Sequence, residues 1–333
     1  MTAAIDAHTF VEPQHMALGK WLDIWLAEYC GAIKPGTLKT YSDNVRSHIK
    51  PALGAVRLCE LQPHAIQQFI NGLQRGKNAL SPKTVRNVHG TLSNALPEAI
   101  RVRYIASNPA NGCIMPKVQR GDIKPLESEE ITAFCDAIKN NPSEALLFVA
   151  LNTGMRLSEL IGLRWSRVDF MKGMIKVDAQ MMIKCGNDGE RALGLPKNSK
   201  PRQFKAAKEV IDCLKDVQRQ QREWRLQAGP AWHNEDGLVF TNEIGECIPH
   251  NTVENRFRKA MRDAGIEGHR FHDLRHTFAT EAIRAGIDAK TVSEMLGHSS
   301  VAFTLDIYAG VTSAMQDEAA NRLQALILNR KRG

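Results

Sequence analysis

In LGKWLDIWLAEYC, Leu18, Trp21, Leu22, Trp25 and Leu26 recur at helical spacing, which turns them to one side of a core-facing helix. KPGTLKTYSDNVRSHIKPALG repeats the period through Tyr41, Val45 and Ile49. Pro35-Gly36 stands ahead of this second helix, and Pro51 with Gly54 is expected to end it. QPHAIQQFINGLQRG and SPKTVRNVHGTLSNALPEAI read as two more helices. Ser81 before Pro82 has the form of an N-cap followed by proline at the first helical position. Pro97 removes a backbone donor from the interior of the last helix and is expected to kink or split it. Residues 16–107 therefore read as a small all-helical bundle behind a short extension, 1–15.

Residues 108–125 carry three prolines and two glycines without periodicity, the composition of an interdomain linker. A second domain, 126–333, follows. ESEEITAFCDAI predicts a helix with Ser128 as N-cap and acidic residues in the first turn, where the helix dipole favours them. SEALLFVALNTGMRLSELIGLRW is an apolar helix broken at Thr153-Gly154 and resumed as another. Strand patterns occur only in about 168–205, in GMIKVDAQMMIK and GERALGLPKNSKPRQF. The rest, from KAAKEVIDCLKDVQRQQREW to AANRLQALIL, is helical. The fold class is mainly α with a small antiparallel sheet (α+β).

Length and composition agree with this division. A chain of 333 residues, 43% hydrophobic and 24% charged, suits two domains that each bury a core. The N-terminus has no signal-peptide pattern, and no stretch approaches the ~20 apolar residues of a membrane span, so a cytoplasmic protein is expected. Seven cysteines without C-x-x-C spacing favour reduced, mostly buried thiols over a disulfide framework or a zinc site. Charge changes the picture more. The first 120 residues hold 14 Lys and Arg against 7 acidic residues, so they account for nearly all of the net +8. Such a basic module suits a polyanion, because each phosphate it neutralises releases counterions.

Four stretches carry candidate chemistry: TGMRLSEL with Arg156, LPKNSK with Lys197, HDLRHTFAT with His272 and Arg275, and LGHSSVAFTLDIY with His298 and Tyr308. Each has an ordinary structural reading as well. Arg156 and Glu159 are spaced for an i, i+3 salt bridge on a solvated face, worth at most a few tenths of a kcal/mol. Lysines in a polar turn are usually solvated. His272 and Arg275 share a helix face beside the apolar stripe of Phe271, Leu274 and Phe278. Val301, Leu305 and Tyr308 fall at i, i+4 and i+7, where a tyrosine ring usually packs into a core. Against these stands a requirement of phosphoryl chemistry. Charge building on the non-bridging oxygens of an attacked phosphodiester is matched best by planar guanidinium forks, and two arginines are present.

Taken in this order and spacing, the four stretches resemble the catalytic domain of the tyrosine recombinases, the phage integrase family. The run FHDLRHTFATEAIRAGIDAKTVSEMLGHSS carries most of the likeness. The helical bundle is similar to the family's SAM-like core-binding domain. The resemblance implies a site-specific DNA recombinase of a phage, integrative element or conjugative transposon. Tyr308 would attack the scissile phosphate to give a 3′-phosphotyrosyl bond and release a 5′-hydroxyl. Arg156 and Arg275 would stabilise the transition state, and Lys197, with Lys200 as the alternative, would protonate the leaving oxygen. His272 would take or hold the tyrosine proton, and His298 would bond a non-bridging oxygen. It also implies double-stranded DNA attachment sites as substrate and a homotetramer on DNA, with an excision factor or host DNA-bending protein as accessory partner and nucleoid association. The C-terminal DEAANRLQALILNRKRG would dock on a neighbouring protomer. With about 15 residues ahead of the first helix, a further N-terminal arm-site domain is not expected.

Exchange of one phosphoester for another needs no ATP. Neither a P-loop nor a carboxylate cluster for two Mg²⁺ occurs in the sequence, so no cofactor or metal is expected. Two rivals remain at this point: a type IB topoisomerase-like enzyme, which shares the catalytic pattern, and a DNA-binding protein without catalysis.

Overall fold

The computed structural model describes residues 16–118, 124–183, 191–196 and 200–297. They divide into two compact units, one of 16–118 and the other of 124–182, 191–196 and 200–297.

The first unit is helical. Helix α1, Leu18–Ile24, runs on through a π-helical turn, Trp25–Tyr29, and buries Leu18, Trp21, Leu22 and Trp25 as the spacing predicts. Helix α2, Pro35–Asn44, passes through a second π-helical turn, Val45–Ile49, into a last turn, α3, Lys50–Leu53. Pro51 therefore does not stop this helix. It falls after a widened turn, where the regular i→i−4 ladder that a proline interrupts is already interrupted. Helices α4, Pro63–Leu73, and α5, Pro82–Arg101, complete the unit. Ser81 caps α5 as expected, its Oγ accepting the Thr84 amide at 3.2 Å.

Pro97 does not split α5, which is continuous over 20 residues. Proline at 97 leaves the Ser93 carbonyl without its helical donor, and Asn108 Nδ2 supplies one at 3.2 Å. An asparagine fifteen residues beyond Ser93 thus offsets the break. Three of the chain's four tyrosines belong to this unit's aromatic packing: Tyr29 and Tyr104 against Trp21, and Tyr41 stacked on Trp25.

The second unit begins with α6, Ser128–Ala137. Its cap is Glu127, one residue ahead of the expected Ser128: the Glu127 amide donates to Glu130 Oε2 at 2.9 Å, so the acidic first turn itself closes the helix end. Helix α7, Glu144–Thr153, ends at Gly154, and α8, Leu157–Ile161, resumes after it. Five short strands follow within the expected window: β1 Val168–Asp169, β2 Met174–Val177, β3 Gln180–Ile183, β4 Arg191–Gly194 and β5 Arg202–Lys205. Strands β1, β2 and β5 form an antiparallel sheet in that order, with Ile175 opposite Phe204 and Val177 opposite Arg202; β3 and β4 form a second pair.

Helices α9 Lys208–Ala228, α10 His250–Asp263, α11 Asp273–Arg284 and α12 Ala289–Leu296 complete the described part. Helices α7 and α11 pack against each other. Ala279, Ala282 and Ile283 of α11 join Val292 and Leu296 of α12 in a small satellite core. That cluster fixes where α12 ends. Of the cysteines in the described residues only Cys30 is buried; Cys59 is exposed and four others are half-buried, which corrects the expectation of mostly buried thiols. All six are free thiols.

Candidate active site

The site is built around one break in the chain. Gly154 closes α7 in the left-handed region, at φ 59°, where a side chain is strained. A Cβ there would also lie 2.5 Å from Leu296 Cδ2 and 2.8 Å from Phe278 Cδ1. Glycine thus lets α7, α11 and α12 meet at one point. Two residues later Arg156 is the N-cap of α8.

Arg156 donates from Nη1 to Glu159 Oε1 at 2.8 Å and from Nη2 to the Gly297 carbonyl at 3.3 Å, and its amide donates to Glu159 Oε2 at 3.0 Å. The i, i+3 pair read from sequence exists, but not on a solvated face. Glu159 is 0% exposed and the Arg156 side chain 20%. Arg275, 3% exposed on α11, donates from Nη1 to the Gly154 carbonyl at 2.8 Å and from Nη2 to the Leu296 carbonyl at 2.7 Å. The two arginine forks are therefore anchored on adjoining backbone, Arg275 on Gly154 and Leu296 and Arg156 on Gly297. Five N–H groups on each guanidinium leave donors beyond these bonds.

A third arginine completes the cluster. Arg202 on β5 grips Glu159 with both ends of its fork, Nη1 to Oε1 at 3.0 Å and Nη2 to Oε2 at 2.6 Å, and its Nε donates to the Met295 carbonyl at 2.7 Å. Two guanidiniums thus hold one carboxylate, and Arg275 lies within reach of its charge, an excess of two positive charges over Glu159 in a largely buried place. This charge balance shifts the proton affinities of the groups in it. Burial works to raise the Glu159 carboxyl, but the hydrogen bonds and charge of Arg202, with those of Arg156, outweigh it and hold the group down at about 2. Burial, then the repulsion of Arg156, pulls Arg275 down to about 9. Such a cluster is completed by an anion.

His272 is the N-cap of α11 and lies edge-on to His276, ring centres 5.0 Å apart. Part of its surface is open to solvent. Partial burial, then the charges of His276, Arg275 and Arg156, lower its ring to about 4, so at neutral pH it is an uncharged imidazole. The structure thus brings together Arg156, His272 and Arg275. Lys197, His298 and Tyr308 lie outside the described residues; Gly297, immediately before His298, is at the centre of the cluster through its carbonyl. Lys200 is exposed. No group of His, Cys, Asp and Glu among the described residues is arranged to hold a metal ion.

Arg202 is the site residue that sequence reading missed. Its signal was strand alternation: in RQFK, Arg202 shares a face with Phe204, which is 5% exposed, so a charged side chain was pointed into the core and needed a partner. A separate cleft of about 690 Å³ lies among α7, α9 and 239–248. It is lined by Phe148, Val217 and Trp224 and by Glu209, Asp212 and Asp216, and holds none of the described site residues; its acidic lining does not suit a polyanion.

The buried network predicts acid sensitivity. Because the folded Glu159 carboxyl lies below its ordinary 4.5, its contribution to stability is complete above that pH and is lost as pH falls toward about 2. Comparing denaturant unfolding of wild type and Glu159→Gln, the wild-type advantage is expected to shrink by about 2 kcal/mol between pH 5 and pH 3. An advantage unchanged across that interval would contradict the assignment.

Comparison with known proteins agrees with this geometry. The phage integrase family model matches residues 123–315, and the phage integrase N-terminal SAM-like domain model matches 17–74. A tyrosine recombinase XerC-like protein of Caldanaerobacter subterraneus is 32% identical over 96% of this chain and 85% of its own length. An integrase of Streptomyces ambofaciens is 27% identical over 90% of this chain and 77% of its own. Among solved structures, the Tn1549 transposon integrase in complex with transposon right end DNA has a TM-score of 0.75 at 20% identity, covering 92% of this chain and 100% of that one. A lambda integrase tetramer bound to a Holliday junction has a TM-score of 0.66 at 18% identity, covering 91% and 80%. The chain belongs to the phage integrase family: it is a tyrosine recombinase, an enzyme that cuts and rejoins DNA, with an N-terminal SAM-like domain ahead of the catalytic one. That membership decides against the topoisomerase and the non-catalytic readings.

Proposed function

We propose that the enzyme is a site-specific integrase serving integration or excision of a phage or other mobile element, acting on double-stranded attachment sites through Arg156, Lys197, His272, Arg275, His298 and Tyr308. One observation carries the reading: guanidiniums in excess over the single carboxylate they surround, with two of the forks anchored on the backbone beside Gly297. A phosphodiester is an anion whose paired non-bridging oxygens such planar forks match.

In this reading Tyr308 Oη attacks the scissile phosphorus, the new phosphotyrosyl bond forms on the 3′ side, and the bond to the 5′-oxygen breaks. Neutral His272 takes the phenolic proton. Lys197 gives one to the departing 5′-oxygen. Arg156 and Arg275, with His298, hold the charge that builds on the non-bridging oxygens. The phosphotyrosyl bond conserves the energy of the phosphodiester, so rejoining is the reverse attack by a 5′-hydroxyl. Tyr308 is the chain's sole tyrosine after residue 104.

Residues 16–107 are assigned to the basic core-binding domain, 108–125 to a linker and 126–333 to catalysis. A tetramer assembled on DNA supports strand exchange between two duplexes, aided by an excision factor or host DNA-bending protein, in a cytoplasmic, nucleoid-associated setting. Among the described residues no helix is long and apolar enough to cross a membrane. Phosphate contacts by the basic domain predict steep salt dependence: with about 6–10 contacts, affinity falls roughly 10³–10⁵-fold between 50 and 200 mM salt. Fluorescence anisotropy on an attachment-site duplex measures this, and a nearly flat salt response would contradict it. The proposal as a whole is tested by incubating the protein with a nicked suicide duplex of that site: an adduct that survives denaturant supports it, and tight binding without adduct overturns it.

A further inference from the structure

The carboxylate at the centre of the site is saturated. A carboxylate has about four lone-pair positions, and Glu159 fills them with two bonds from Arg156 (its amide and Nη1) and two from the Arg202 fork. Arg202 faces inward: its side chain is 8% exposed, and both ends of its fork are given to Glu159. It also lies flat on the end of α12. A Cβ on Gly297, which sits at φ 65°, would come within 2.9 Å of Arg202 Cδ and 3.1 Å of its Nη1, and Arg202 Nε holds the Met295 carbonyl.

We infer that Arg202 is a positioning residue for DNA cleavage: by occupying half of Glu159 it keeps Arg156 from closing a bidentate pair with that carboxylate, so the Arg156 fork stays turned toward Gly297 and the phosphate. Arg202 does not touch the phosphate. The reason lies in the competition. A carboxylate with two empty positions, 2.8 Å from a guanidinium, draws the second Nη across, because the fork-to-fork pair is the strongest arrangement open to both. Arg156 would then leave the Gly297 carbonyl and turn away from the reacting atoms. The same loss would free the Met295–Gly297 backbone, on which Arg275 also depends through the Leu296 carbonyl. Arg202 thereby sets the register of both phosphate-binding arginines without being one.

This inference rests on the recombinase reading, and its test separates the two. Single-turnover cleavage of the suicide duplex, duplex affinity and thermal melting are measured for the wild type, R202K, R202M and the double variant R202M/E159Q. R202K keeps the charge but offers no fork, and is expected to cleave about 10-fold more slowly at unchanged duplex affinity. R202M is expected to lose about 100-fold, the scale of a misplacement of about an ångström in a reacting group. In R202M/E159Q the neutral amide no longer captures Arg156, so cleavage is expected to recover at least about tenfold over R202M, a coupling of opposite sign to two independent structural losses.

A residue that only stabilised the fold would make the double variant slower, not faster. Wild-type cleavage rates in R202K and R202M, or a double variant no faster than R202M, overturn the proposal alone. No adduct from the wild-type chain overturns the proposal together with the reading beneath it.

Discussion

Tyr308→Phe is expected to abolish covalent capture of DNA altogether while leaving duplex affinity within about threefold of wild type, since only a hydroxyl is lost and phosphate contacts by basic side chains supply most of the affinity. The change removes one oxygen. A phenol with an ordinary pKa near 10 becomes a nucleophile only where its proton has a destination and its developing bond a charge-matched partner. The site has both, a neutral imidazole at His272 and the guanidiniums of Arg156 and Arg275. The remaining tyrosines cannot substitute, because Tyr29, Tyr41 and Tyr104 are committed to the aromatic packing of the first unit. Gel analysis of the suicide-substrate reaction checks this, and residual adduct in the variant would show that the nucleophile lies elsewhere.

Arg275→Lys is expected to slow cleavage by about 10²–10³-fold, the usual cost of removing one donor aimed at developing oxyanion charge. The substitution keeps a positive charge but loses the fork. Arg275 bonds two carbonyls, of Gly154 and Leu296, at 2.8 and 2.7 Å, and an ammonium on a flexible stem cannot hold both and still face a phosphate. The loss should appear in the cleavage rate rather than in binding. Single-turnover kinetics and anisotropy on the same duplex separate the two effects; a variant that binds weakly yet cleaves at the wild-type rate once saturated would reassign Arg275 to DNA binding.

Much of this architecture was legible in the chain because the signals were local. The i, i+3, i+4, i+7 stripe of Leu18, Trp21, Leu22 and Trp25 needs only a core to face, and Thr153-Gly154 breaks a helix wherever it stands. Among the described residues the five strands all lie within 168–205, the window whose alternation predicts them. The pattern around Arg156, His272 and Arg275 was readable for a different reason: its order and spacing resemble the recombinase catalytic domain, and phosphoryl chemistry accounts for the residue types.

What was not legible depended on partners distant in sequence. Pro97 looks like a break until Asn108 is brought to the Ser93 carbonyl. Pro51 looks like a stop until the turn before it widens to a π-helix. Glu159 reads as half of a solvated pair with Arg156. The depression of its carboxyl, against the effect of burial, comes chiefly from Arg202, forty-three residues further on. One helix end was also displaced where two neighbouring residues could cap, Glu127 and Ser128, and Glu130 bonds back to the Glu127 amide. The sequence marks which groups are charged, whereas only the packing determines which of them share a proton or a lone pair.

The most direct test of the account is to locate the covalent bond. Trypsin digestion of the adduct formed on a suicide duplex, followed by mass spectrometry, is predicted to yield a peptide from within 291–322 carrying a nucleotide on Tyr308, its sole tyrosine, with the released strand bearing a 5′-hydroxyl. A nucleotide on any other residue, a 5′-linked phosphate, or no modified peptide from an active preparation would contradict it.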